Sequence, residues 1–142
     1  MASVALVTFA VASLVFQISS CKKATAQTTP THYPIEGLWT GTYSVDGSPG
    51  LGDQYFSFII KPDGTMINDT KYTGEQNLAI GTWTLTGHTL TCNFTNIYGQ
   101  PAHLGVVETS TATWDETARL TSGVWQNVPP SGSGTFTLNR VN

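Results

Sequence analysis

From Gly37 onward the chain is cut into short runs of alternating character, and each run ends in turn chemistry. The runs GLWTGTYSV, QYFSFIIK, TMINDT and NLAIGTWTL come first. TLTCNFTNI, HLGVVETSTATW, ARLTSGVWQ and GTFTLNRV follow. Between them stand DGSPGLGD, PDG, TGEQ, TGH, YGQPA, DET and NVPPSGS, rich in the Gly, Pro, Asp and Asn that turns require. Connections this short join antiparallel neighbours, because a parallel crossover needs a dozen or more residues. No run carries a helical period. The expected fold class is therefore all-β: an antiparallel meander of about eight strands, closing into a small up-and-down barrel without free edges.

Alternation within each run separates the two faces. In the first, Trp39, Gly41, Tyr43 and Val45 share the inward side, and in the second Phe56, Phe58 and Ile60 do. Thr82, Thr84 and Thr86 face out against Gly81, Trp83 and Leu85. Thr89, Thr91, Asn93 and Thr95 face out against Leu90, Cys92 and Phe94. In the sixth run Val107, Thr109, Thr111 and Thr113 oppose Leu104, Val106, Glu108, Ser110, Ala112 and Trp114. The seventh run places Leu120, Ser122 and Val124 inward and Trp125 outward. The last places Phe136, Leu138 and Arg140 inward. TMINDT fits either face, and a single β-bulge would invert any of these assignments beyond it.

Composition narrows the classes. The 142 residues carry a net charge of −3, with 11% charged and 11% aromatic side chains, which suits one ordered β-domain. Lys22-Lys23 is the only basic cluster, so nucleic acid is excluded as a partner class.

The N-terminus supplies an address. Met1 to Ser20 has no charged side chain, and VALVTFAVASLVF has signal-peptide length. It is too short for a transmembrane helix, which needs about 20 apolar residues. Ile18-Ser19-Ser20-Cys21, at the end of that run, resembles a bacterial lipobox, in which the Cys becomes the acylated first residue. The resemblance implies residues 1–20 as signal peptide, 21–34 as a lipidated tether and 35–142 as the barrel domain. It also implies the envelope of a gram-negative bacterium, on the periplasmic or outer face of a membrane held through Cys21. Ala24-Thr25-Ala26 offers the alternative of cleavage and secretion. If Cys21 is acylated, Cys92 is left alone and is expected to be buried; a Cys21–Cys92 disulfide is the alternative.

Gly37-Leu38-Trp39 on the opening strand is similar to the G-x-W signature of lipocalins and their calycin relatives, including avidin-like barrels. The likeness implies a Trp that closes one barrel end beneath a late Arg, for which Arg140 and Arg119 are the candidates. The second lipocalin motif and the biotin-contacting pattern of avidins are absent, so neither biotin nor any other cofactor is expected.

Candidate site residues follow from the faces. An inward carboxylate is costly unless paired, so Glu108 is either the polar anchor of a ligand cavity, one half of an ion pair with Arg140, or turned outward by a bulge. The aromatics Trp39, Tyr43, Phe56, Phe58, Trp83, Phe94 and Trp114 either line a pocket or fill the barrel, since eight strands enclose little more than their own side chains. The candidate ligand set is Tyr43, Phe58, Trp83, Phe94, Glu108, Trp114 and Arg140. His32, His88 and His103 lack metal-ligand spacing. Three functions are open: a non-enzymatic, lipid-anchored barrel that binds a small apolar ligand or is structural; a protease inhibitor acting through the arm TAQTTPTHYP; and an isomerase or cyclase using Glu108.

Overall fold

The computed structural model describes residues 33–141. The lipobox cysteine Cys21, the signal segment, the alternative cleavage at Ala26 and most of the proposed tether and inhibitory arm lie outside the described residues. Eight strands follow in chain order: β1 (Gly37–Tyr43), β2 (Gln54–Ile60), β3 (Thr65–Tyr72), β4 (Glu75–Thr86), β5 (Thr89–Tyr98), β6 (Val107–Trp114), β7 (Arg119–Val128) and β8 (Ser133–Arg140). Each pairs antiparallel with the next, and β8 returns to pair with β1, with Trp39 opposite Arg140 and Tyr43 opposite Phe136. This is the closed up-and-down barrel expected from the alternation, and it is consistent with a calycin-like fold.

The meander defines two ends. The floor holds the start of β1, the end of β8 and the turns β2–β3, β4–β5 and β6–β7. The mouth holds the other four connections, including two single 3₁₀ turns, Pro49–Leu51 and Pro101–His103.

The middle of the barrel is filled. Phe56, Phe58, Phe94 and Phe136 are buried, and their rings meet at centroid separations of 4.9 Å (Phe56–Phe58), 5.1 Å (Phe56–Phe136), 5.6 Å (Phe58–Phe136) and 6.1 Å (Phe58–Phe94). Such tilted and edge-on contacts suit the ring quadrupole and add to the apolar area removed from water. Leu90, Cys92, Leu120 and Leu138 complete the core. Cys92 is a free, fully buried thiol, as expected; Cys21, its partner in the disulfide alternative, lies outside the described residues. The Thr rows of β4, β5 and β8 lie on the outside as the alternation requires.

Two assignments are corrected. The register of β7 shifts between Leu120 and Gly123, and Ser122 takes a positive φ of 52°. This bulge reverses the strand beyond it, so Trp125 is buried and Val124 is 49% exposed. In the sixth run the strand begins only at Val107, and Leu104 lies in the preceding loop, 50% exposed. β3, whose alternation fits either face, buries Met66 and Asn68.

The floor is closed by Trp39 and Arg140. Trp39 is fully buried and donates its indole N–H to the Ile35 carbonyl at 2.7 Å. The Arg140 guanidinium lies 5.8 Å from the Trp39 ring and 5.9 Å from that of Tyr33, within cation–π range. It donates to the carbonyls of Pro34, at 2.7 Å, and Glu36. Gly37 makes this approach feasible: a Cβ there would stand 2.8 Å from Nη1 of Arg140, and its φ is +138°. Of the two late arginines, Arg140 therefore takes the stacking role. Tyr33 is also tied down, its N–H donating to the Glu116 carbonyl at 2.9 Å, so the chain is held to the barrel from at least Tyr33.

Candidate functional site

A cavity of about 160 Å³ opens at the mouth. An engineered cavity of about 150 Å³ accommodates benzene, so the space suits one compact small molecule. Four aromatic residues, Tyr43, Phe56, Tyr72 and Trp125, contribute to its lining. Two of these are pinned by their polar atoms. The Tyr43 hydroxyl donates to the Lys71 carbonyl at 3.2 Å, and the Trp125 indole N–H donates to the Ser44 carbonyl at 3.0 Å. Tyr43 and Trp125 meet edge-on at 5.7 Å, and Tyr43 and Phe56 are tilted at 5.2 Å.

The rest of the lining is polar. Asn77, Asn96, Asn127 and His103 border the same cavity. Asn77 is buried; its Oδ1 accepts from the Gln100 N–H at 3.1 Å and lies 3.4 Å from Nδ1 of His103. Gly99 lets the β5–β6 loop come this close, because a Cβ there would fall 2.1 Å from Asn77 Oδ1. The Tyr72 and His103 rings meet edge-on at 5.4 Å, so β3 and that loop are joined across the rim.

Glu108 lies in this lining, near the mouth end of β6, between Phe94 of β5 and Asn127 of β7. It is buried, and it accepts one hydrogen bond, from the Ser110 hydroxyl at 3.3 Å. Burial pushes its carboxyl up from 4.5 to about 8, against the opposing effect of the Ser110 bond. Two neighbours feel the carboxylate. Tyr43 is pushed up to about 12, mainly by burial and then by Glu108 and Tyr72. Cys92 is also pushed up to about 12, by burial and then by Glu108.

The pairing of Glu108 with Arg140 is a correction. Arg140 sits at the floor, opposite Trp39 in register, and its donors are spent on backbone carbonyls. No cation contributes to the Glu108 environment among the described residues. The inward orientation of Glu108 agrees with the alternation; the outward, bulged alternative does not.

Of the candidate ligand residues, the fold brings Tyr43 and Glu108 together at the cavity. Phe58 and Phe94 are buried in the barrel core and do not line it. Trp83, whose indole N–H donates to the Lys61 carbonyl at 2.8 Å, belongs to the floor, as do Trp114 and Arg140. The lining also includes Tyr72, Asn77, Asn96 and Asn127, which the sequence reading did not single out, His103, weighed there only as a metal ligand, and Trp125, assigned outward. Asn96 extends the inward series Leu90, Cys92, Phe94, and Asn77 extends the series Gly81, Trp83, Leu85, so both were recoverable from alternation. Trp125 was hidden by the β7 bulge, and Asn127 by the reading of NVPPSGS as a turn. His88 stays at the floor, with Nδ1 2.9 Å from the Trp114 carbonyl, far from His103. Among the described residues no group of three or more His, Cys, Asp or Glu is placed to hold a metal ion.

The fold and cavity together define a small closed antiparallel barrel with one sealed end and one open, polar-aromatic end. The chain matches no protein-family model, no curated protein and no solved structure.

Proposed function

We propose that this is a non-enzymatic, lipid-anchored barrel of the bacterial envelope that holds one small molecule in its mouth. The binding half of the reading rests on the mouth cavity: space for a compact molecule, pinned aromatic walls and convergent polar groups are the usual marks of a small-molecule site. The ligand is not purely apolar. Glu108, His103 and three asparagines border the space, and a hydrocarbon would offer nothing to the hydrogen-bonding capacity they have left. The address rests on Ile18-Ser19-Ser20-Cys21.

Native mass spectrometry of the protein from its own host, followed by NMR titration with the molecule recovered, tests the binding half. A bound small molecule that shifts Asn96, Trp125 and Asn127 but not Trp39 supports it. A clean apo mass, together with a mouth that is silent to a panel of small fragments, refutes it. For the address, Cys21→Ser is expected to move the protein out of the membrane fraction or to leave unprocessed precursor. Unchanged fractionation and maturation would contradict it.

An enzymatic reading has one observation in its favour, a buried carboxyl raised to about 8 beside a cavity, which is the tuning a general acid or base requires. Conversion of the recovered molecule by the parent protein, abolished in Glu108→Gln, would replace binding with catalysis.

A further inference from the structure

We infer that the mouth takes a small organic cation, an ammonium group with compact apolar substituents, seated between the aromatic walls and the Glu108 carboxylate. This deepens, and rests on, the proposal that the mouth binds a small molecule.

Three observations point the same way. First, Glu108 is buried with a single neutral hydrogen-bond donor and no cation beside it among the described residues. A buried carboxyl of this kind lacks a counter-charge, and an entering cation would supply one. Second, four aromatic residues line the same cavity, and the polar atoms of two are already tied to backbone carbonyls. With those donors spent, these two have left to offer ring surface and the acceptor lone pairs of the Tyr43 oxygen, both of which favour a cation over an anion. Third, no Lys or Arg among the described residues lines the cavity, so an anionic ligand would meet Glu108 with no permanent positive charge there to offset it. The volume of about 160 Å³ suits a compact head group rather than a long chain.

The titratable groups around Glu108 are Tyr43 on β1, Cys92 on β5, and Tyr72 and His103 on the cavity wall. With Tyr43 and Cys92 both pushed up to about 12, they remain neutral while Glu108 ionises near 8. The free protein holds a proton on Glu108 at neutral pH, and a cation binds the carboxylate form. Binding therefore releases that proton to solvent. Affinity should rise with pH up to about 8 and level off above it.

The test is an NMR titration of the isotopically labelled protein at constant ionic strength. The probes are tetramethylammonium, neutral 2,2-dimethylpropan-1-ol and anionic pivalate, each at pH 6 and pH 8. Tetramethylammonium is expected to shift Asn96, Trp125 and Asn127, to leave Trp39 unmoved, and to bind roughly 50-fold more tightly at pH 8 than at pH 6. Glu108→Gln should weaken it at least about tenfold at pH 8 and erase the pH dependence, whereas His103→Gln should keep that dependence. If the alcohol or pivalate binds the mouth as tightly as the cation, or if cation affinity is flat with pH in the parent, the cation inference is overturned and the binding proposal survives. If none of the three probes moves a mouth signal at either pH, both fall.

Discussion

Two tryptophans, one at each end of the barrel, are anchored in the same way. Trp39 at the floor donates to the Ile35 carbonyl, and Trp125 at the mouth donates to that of Ser44. Around Trp39 the structure is complete. Arg140 covers the ring, and its guanidinium is satisfied by two carbonyls. Around Trp125 it is open: the ring borders a cavity, and the buried carboxyl of that cavity, Glu108, has no cation beside it among the described residues. At the closed end the cation is hydrogen-bonded; at the open end the carboxyl has no counter-charge among the described residues. The first holds the barrel shut, and the second is where the proposed ligand would supply what the protein lacks.

The largest effect belongs to the closed end. Trp39→Ala is expected to cost about 3–5 kcal/mol in denaturant unfolding, as for other buried aromatics. A loss under about 1 kcal/mol would mean that the floor is not where the barrel is held.

The next effect belongs to the mouth and has a sign. Between the ordinary carboxyl value of 4.5 and about 8, folded Glu108 keeps a proton that the unfolded chain has released. The unfolded state then binds fewer protons, so this group lowers stability as pH rises through that window and adds no further change above it. Glu108→Gln removes the slope. The variant should exceed the parent in stability by on the order of 2–4 kcal/mol at pH 9 and match it near pH 4. Parallel melting curves across pH 4 to 9 would contradict the buried, unpaired carboxyl.

Arg140→Met sharpens the contrast. Losing the bonds to Pro34 and Glu36 and the stacking on Trp39 should cost about 1–2 kcal/mol. The pH slope caused by Glu108 should survive unchanged. If the slope vanishes with Arg140, the two residues are coupled after all. The smallest effect is expected from His103→Ala at the rim, within about 1 kcal/mol in unfolding, while NMR shifts stay confined to the β5–β6 loop and Tyr72.

Much of this was legible in the sequence. Alternation placed Phe56, Phe58, Phe94, Leu138 and Glu108 inward, because a closed barrel forces one face of every strand into the core. Gly37-Leu38-Trp39 pointed to the capped floor, since the tight approach of Arg140 leaves no room for a Cβ at Gly37. The site was less legible. Period-2 reasoning cannot locate a bulge, and the positive φ of Ser122 carried Trp125 to the face opposite the one assigned; Asn127, assigned to the turn NVPPSGS, belongs to a β7 that runs on to Val128. Nor does alternation say at which end an inward residue lies unless strand direction is followed. Arg140 and Glu108 share a face but stand at opposite ends, since β8 finishes at the floor and β6 starts at the mouth.

The difference between the two ends is tested most directly by the carboxyl ¹³C signal of Glu108, followed against pH with and without tetramethylammonium. The account predicts a midpoint of about 8 in the free protein, moving to lower pH as the cation saturates the mouth. A midpoint near 4.5, unmoved by the cation, would contradict it.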